Sequence, residues 1–127
     1  MYKTILVEAD LEQGRRIVEE LSKRQVRITA AFWYHYEDED DWKLVVVSPD
    51  FEDKGPKALY TMISSMLSEL AGNSKEPLRF SLDQIMLVSP YSLLYNMVRD
   101  YSGLRYGPVR EGPALDSYIY KMEWAQD

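Results

Sequence analysis

The sequence predicts an α/β (or α+β) protein: a mixed sheet of about five strands with helices packed on it, in the order α-β-β-α-β-α-β-β. Three observations carry this reading. Residues 26 to 49, VRITAAFWYHYEDEDDWKLVVVSP, read as two strands around an acidic turn. Two further stretches, VVVSPD…ALYTMI and MLVSPYSLLYNMV, echo each other as strand, Ser-Pro, then a helix carrying Leu-Tyr-x-Met, either a repeated strand-helix unit or a coincidence over few residues. The helical stripes and the short apolar runs alternate along the chain, which is the pattern of layered α/β architectures.

The chain begins with a helix inside residues 2 to 25. Early acids and the closing Lys23-Arg24 suit the helix dipole. Ile17, Val18 and Leu21 mark the buried side. Glu12 with Arg16, Glu19 with Lys23 and Glu20 with Arg24 stand acid-before-base at four residues' spacing, the favourable order on a helix surface. Thr4 to Val7 reads as a short strand, the alternative being a helix that begins near Tyr2.

The hairpin follows. Folding it about Glu39 pairs Tyr36 with Trp42, Tyr34 with Leu44 and Phe32 with Val46. The other face then pairs His35 with Lys43, Trp33 with Val45 and Ala31 with Val47. Both faces are apolar near the middle, so the strands belong inside a sheet covered on each side. The turn, Glu37 to Asp41, holds five carboxylates and must be solvated, because like charges this close repel.

Gly55-Pro56 opens the next helix, with Pro in the first turn where its missing N–H costs nothing. Leu59, Ile63, Met66 and Leu70 form its stripe, and Gly72 ends it. Residues 73 to 83 connect, with a weak alternation at Leu78, Phe80 and Leu82. Ile85-Met86-Leu87-Val88 reads as a central strand. Ser89-Pro90 caps a helix through about Tyr101, with Leu94, Met97, Val98 and Tyr101 facing in. The step from Leu44 to Val88 is a parallel crossover. Strands at Leu104 to Arg110 and Ser117 to Met122 finish the chain. Pro108 demotes the first to an edge, and Tyr118 and Tyr120 share one face of the second.

With 127 residues the chain forms one domain, residues 1 to 127, with a sizeable core. It has no cysteine, so no disulfide framework, thiolate metal site or thiol nucleophile. No secretory signal is recognisable and no run approaches membrane-spanning length, so a cytoplasmic, soluble protein without a membrane partner is the expectation. The net charge of −6 argues against nonspecific nucleic-acid binding, which rests on Lys and Arg neutralising phosphates.

Two resemblances stand beside this reading. TILVEADLEQGRRIVEEL resembles the first strand and helix of a response-regulator receiver domain. The aspartate that a receiver phosphorylates at a strand tip has no counterpart, since Ser48 and Pro49 follow the strand and Asp50 lies beyond. AAFWYHYEDEDDWKLVVVSPDFEDKGPKALY resembles a family of small uncharacterised bacterial proteins. The shared positions are Ala30, Ala31, Phe32, Trp33, Trp42, Leu44, Ser48, Pro49, Gly55, Pro56 and Tyr60, with IMLVSP and Tyr-Ile-Tyr further on. That resemblance implies a bacterial, soluble, single-domain protein and no particular activity.

Candidate chemistry is sparse. His35 is the single histidine. It has the chemistry of a base or switch, but no Ser or Cys beside it suggests a nucleophile pair. The acids of 37 to 41 with Asp50, Glu52 and Asp53 offer oxygens for a divalent cation, yet the spacing is not that of a calcium loop. Pro49-Asp50 with Glu52-Asp53-Lys54 has the letters of a nuclease core within one loop, where that chemistry needs separate positions converging on a metal. No metal site and no cofactor are therefore expected. Gly103, Gly107 and Gly112 are spaced for turns and form no phosphate loop.

The aromatic load stands out, with ten Tyr and three Trp. Tyr and Trp favour interfaces and pockets. Trp33, His35, Trp42, Arg105, Tyr106, Arg110, Tyr118 and Tyr120 are the candidate binding residues. The preferred expectation is a noncatalytic interaction or ligand-binding module. Its partner is another protein or a second copy, the homodimer forming through a C-terminal strand edge or aromatic patch. The alternative is a small metal-dependent hydrolase or nuclease using the acidic clusters and His35.

Overall fold

A computed structural model describes residues 5–73, 78–79, 81–102, 107–108 and 118–122. Its elements are α1 (Glu8–Lys23), β1 (Ala30–Tyr36), β2 (Asp41–Val47), α2 (Asp50–Asp53), α3 (Pro56–Asn73), a 3-10 turn (Leu82–Gln84), β3 (Ile85–Val88), α4 (Leu93–Ser102), β4 (Gly107–Pro108) and β5 (Tyr118–Met122). The strands form one mixed sheet in the order β3-β2-β1-β5-β4. This is the predicted α/β architecture, with the short α2 added.

The sheet divides the core in two. Ala31, Trp33, Leu44, Val46, Ile85 and Leu87 face α1 and α3, meeting Ile17, Val18, Leu21, Leu59, Ile63, Met66 and Leu67. Ala30, Phe32, Val45, Val47 and Ile119 face α4, meeting Tyr95 and Val98. Alternation along each strand delivers successive residues to opposite layers. Because both layers are apolar, β1 and β2 are hydrophobic on both sides, as the sequence suggested.

The hairpin register differs from the predicted one by one residue. Ala30 pairs with Val47, Trp33 with Leu44, Tyr34 with Lys43, His35 with Trp42 and Tyr36 with Asp41. The cause is the turn. It has four residues, Glu37 to Asp40, closed by Glu39 N–H to Tyr36 O and Asp40 N–H to Glu37 O, both 3.2 Å. Asp40 takes the left-handed conformation (φ 48°), which a short polar side chain tolerates. Asp41 is therefore a buried strand residue and not part of the turn. Two apolar faces gave the sequence no means of choosing between the registers.

β3 pairs parallel with β2, as the crossover requires, but it lies at the sheet edge and not at its centre. Its outer side is served by a side chain: Leu87 N–H donates to Tyr60 Oη at 2.9 Å. The central strand is β1, flanked by β2 and β5. Pro108 is on an edge strand, where its missing N–H is harmless.

The Ser-Pro echo is a repeated turn. Asp50 N–H donates to Ser48 Oγ and Tyr91 N–H to Ser89 Oγ, each at 3.1 Å. The two turns lie side by side because β2 and β3 are parallel neighbours, joined by Ser48 N–H to Val88 O at 3.0 Å.

Helix limits shift modestly. α3 starts at Pro56 after Gly55, whose φ of +86° demands glycine. Leu70 is half-buried and Leu67 takes its place in the buried stripe. α4 starts at Leu93, beyond Ser89-Pro90, and Tyr95 joins Val98 in the core. The predicted inward residue Tyr101 lies outside the described side chains. On α1, Glu20 and Arg24 pair as expected at 3.3 Å, while Arg15 takes both Glu12 and Glu19, with Glu19 at 2.6 Å.

Candidate functional site

The candidate binding residues fall in several places. Trp33 is fully buried in the sheet centre. Its indole Nε1–H donates to Tyr120 Oη at 2.7 Å, and that hydroxyl donates in turn to Leu11 O at 2.5 Å. This chain of bonds ties β1, β5 and α1 together. Burial pushes the Tyr120 phenol well above the usual tyrosine range, with the Trp33 hydrogen bond acting against it. Gly14 permits the arrangement, since a Cβ there would stand 2.5 Å from Tyr120 Oη and 2.8 Å from Trp33 Nε1.

Tyr118 packs edge-on to Tyr120 with ring centroids 5.4 Å apart. Both line two open grooves, about 510 and 490 Å³, beside Arg15 of α1. Arg15 is committed to Glu12 and Glu19 within α1. Arg105, Tyr106 and Arg110 lie outside the described residues.

His35 and Trp42 meet as a cross-strand pair, centroids 5.1 Å apart. His35 Nε2 lies 2.8 Å from Asp40 Oδ1, so one acid of the turn is engaged by the histidine. This is a surface aromatic-imidazole pair at the hairpin end.

The acids do not converge. The turn 37–40 and the 50–53 cluster sit at opposite ends of the seven-residue β2, about 20 Å apart at strand rise. Asp50 is buried and accepts Arg27 N–H at 3.1 Å and Arg27 Nε at 2.7 Å. Lys54 stands 3.7 Å away, and Asp53 pairs with the same guanidinium. Burial opposes ionisation of Asp50, but the Arg27 backbone and side-chain bonds and Lys54 outweigh it, leaving the carboxyl below its usual range. Glu52 accepts from Ser89 Oγ at 2.5 Å. Among the described residues no group of three or more His, Asp or Glu is placed to hold a metal ion.

The opposite face of the hairpin end carries the feature the sequence reading passed over. Tyr34, Tyr36, Glu37, Asp38, Glu39 and Leu94 line an open groove of about 490 Å³. Tyr34 and Tyr36 pack edge-to-face, centroids 5.0 Å apart. Tyr36 Oη donates to Met86 Sδ at 2.8 Å, and burial with the neighbouring Tyr34 and Glu39 pushes its phenol up to about 12. Burial and then Glu37 raise Tyr34 as well. Lys43, the cross-strand partner of Tyr34, holds its Nζ 5.8 Å above the Tyr36 ring and 3.9 Å from Glu39. Among the described residues Glu37 and Asp38 have no ion-pair partner, and both are exposed. Leu93, next to Leu94, is 89% exposed and Tyr91 is 67% exposed. The sequence signal was available: two tyrosines at strand spacing run straight into the acids. Leu94 joins them only because α4 crosses this face.

Compared with family models, with curated proteins and with solved structures, the chain shows no match in any of the three. No helix of the described residues is long and apolar enough to cross a membrane.

Proposed function

We propose that the chain is a noncatalytic interaction module that docks another protein on the hairpin-end face of β1, β2 and α4. One observation supports this most: an aromatic and aliphatic groove formed by Tyr34, Tyr36 and Leu94 is rimmed by the carboxylates of Glu37, Asp38 and Glu39. Single exposed apolar residues are ordinary. An aromatic pair and a leucine gathered at one open groove suit an interaction surface better. Tyrosines suit such a surface by offering area at low entropic cost together with a hydroxyl.

Self-association belongs elsewhere on this reading. A second copy docked symmetrically here would set Glu37, Asp38 and Glu39 against themselves, and the chain already carries −6. The metal-dependent hydrolase alternative finds less support, because its carboxylates stand at opposite ends of β2 and those near Asp50 are held by Arg27, Lys54 and Ser89.

The test is a random-peptide selection on the full chain, counter-screened on Leu94→Asp. Binders that lose affinity for the variant support the reading, and binders indifferent to it argue against the site. A thermal-shift series with magnesium, manganese and zinc checks the alternative; a specific rise in melting temperature revives it.

A further inference from the structure

We infer that the partner presented to this groove is a basic protein segment, with an apolar side chain and a Lys or Arg close together in sequence. This rests on the docking reading above and adds the chemistry of the occupant.

The groove has two halves with different demands. Leu94 and the Tyr34–Tyr36 pair offer apolar and aromatic surface. The turn offers negative charge. Asp40 is engaged by His35 and Glu39 by Lys43, which leaves Glu37 and Asp38 uncommitted among the described residues. An anionic occupant would be repelled by both.

The protein also shows what the site accepts. Lys43 lies over the Tyr36 ring with Glu39 beside it. A cation held by an aromatic face and a carboxylate is the arrangement a partner's Lys or Arg would reproduce. Lys43 is then an internal competitor: it fills one cationic position and subtracts charge from the rim.

A protein segment fits better than a free polyamine or a metal ion. The Tyr34–Tyr36 pair and Leu94 set apolar and aromatic surface beside the carboxylates, which a small cation would leave uncovered. A membrane is disfavoured, because an acidic turn beside the apolar residues is repelled by anionic headgroups.

The experiment compares two random-peptide libraries of equal apolar content on the full chain. One has Lys and Arg as its charged residues, the other Asp and Glu. Binders are mapped by amide chemical-shift changes on the labelled protein. The expected result is that the basic library supplies the binders and that Tyr34, Tyr36 and Leu94 shift. Affinity falls as salt rises. Glu37→Gln with Asp38→Asn weakens binding, while Lys43→Met tightens it about two- to five-fold, the range of an exposed cation–aromatic contact. The opposite signs separate recognition from general damage to the fold.

Binders from the acidic library, or equally from both, mapped to this face would overturn the basic partner and leave the docking reading standing. Binders mapped elsewhere, or none from either library, would overturn both. Basic binders that need no apolar residue would reduce the site to plain charge attraction and refute the segment proposed here.

Discussion

Replacing Gly14 by alanine should destabilise the protein, against the usual preference of helices. At an exposed position inside a helix the change gains about 1 kcal/mol. Gly14 is buried in α1, and its added Cβ would stand 2.5 Å from Tyr120 Oη, 2.8 Å from Trp33 Nε1 and 3.2 Å from Tyr120 Cζ. Neither ring gives way freely. The indole is fully buried and the phenol is fixed by two hydrogen bonds, to Trp33 and to Leu11 O. Overpacking costs about 1–3 kcal/mol. Displacing the hydroxyl weakens two hydrogen bonds worth about 1 kcal/mol each. Setting the helix gain against these losses leaves a net destabilisation of about 1–3 kcal/mol. Urea denaturation followed by tryptophan fluorescence measures it. Tyr120→Phe removes the atom in closest conflict, so Gly14→Ala should cost less in that background, with a coupling of about 0.5–2 kcal/mol. A stabilised Gly14→Ala, or additive single and double variants, would refute the idea that this glycine sets the spacing between α1 and the sheet.

Other expectations follow from the same structure. The phenols of Tyr34, Tyr36 and Tyr120 are raised, so the folded state prefers them protonated. That contribution is complete below the unfolded value near 10 and fades as pH rises, through about 12 for Tyr36; ultraviolet tyrosinate titration should show a late-ionising group whose titration accompanies unfolding. Asp50 has the opposite sign. Its lowered value stabilises the fold above the unfolded carboxylate range, and this is lost as pH falls below about 4. Arg27→Ala should therefore lower the urea midpoint at pH 7 and lower it less at pH 3, where the Asp50 carboxylate is closer to neutral; an equal loss at both would refute the linkage. Tyr60→Phe removes the partner of Leu87 N–H; that amide should exchange faster with solvent, and unchanged exchange would show that the phenol does not protect the β3 edge.

The candidate site was legible in pieces. The acidic turn and its flanking Tyr34 and Tyr36 are plain in the sequence, and so is the aromatic surplus. What they form depends on α4, which brings Leu94 to the hairpin from more than fifty residues away. Trp33, Tyr118 and Tyr120 looked alike as surface candidates, because a strand pattern gives the side of the sheet and not the depth of the layer covering it. Tyr120 reaches under α1 to bond Trp33 and Leu11, while Tyr118 stays at a groove.

The sequence by itself determined the α/β class, a hairpin apolar on both faces and the parallel step from β2 to β3. These follow from local periodicity, proline geometry and composition, which act over a few residues. The tertiary structure decided the rest. It set the register, through a turn in which Asp40 accepts a left-handed backbone. It put β1 at the centre and β3 at the edge, because β5 returns to pair with β1. It gave Gly14 its purpose and committed the acids near Asp50 to Arg27, Lys54 and Ser89. Each outcome depends on contacts between residues distant in the chain, and no local pattern of side chains specifies which of several similar partners will be met.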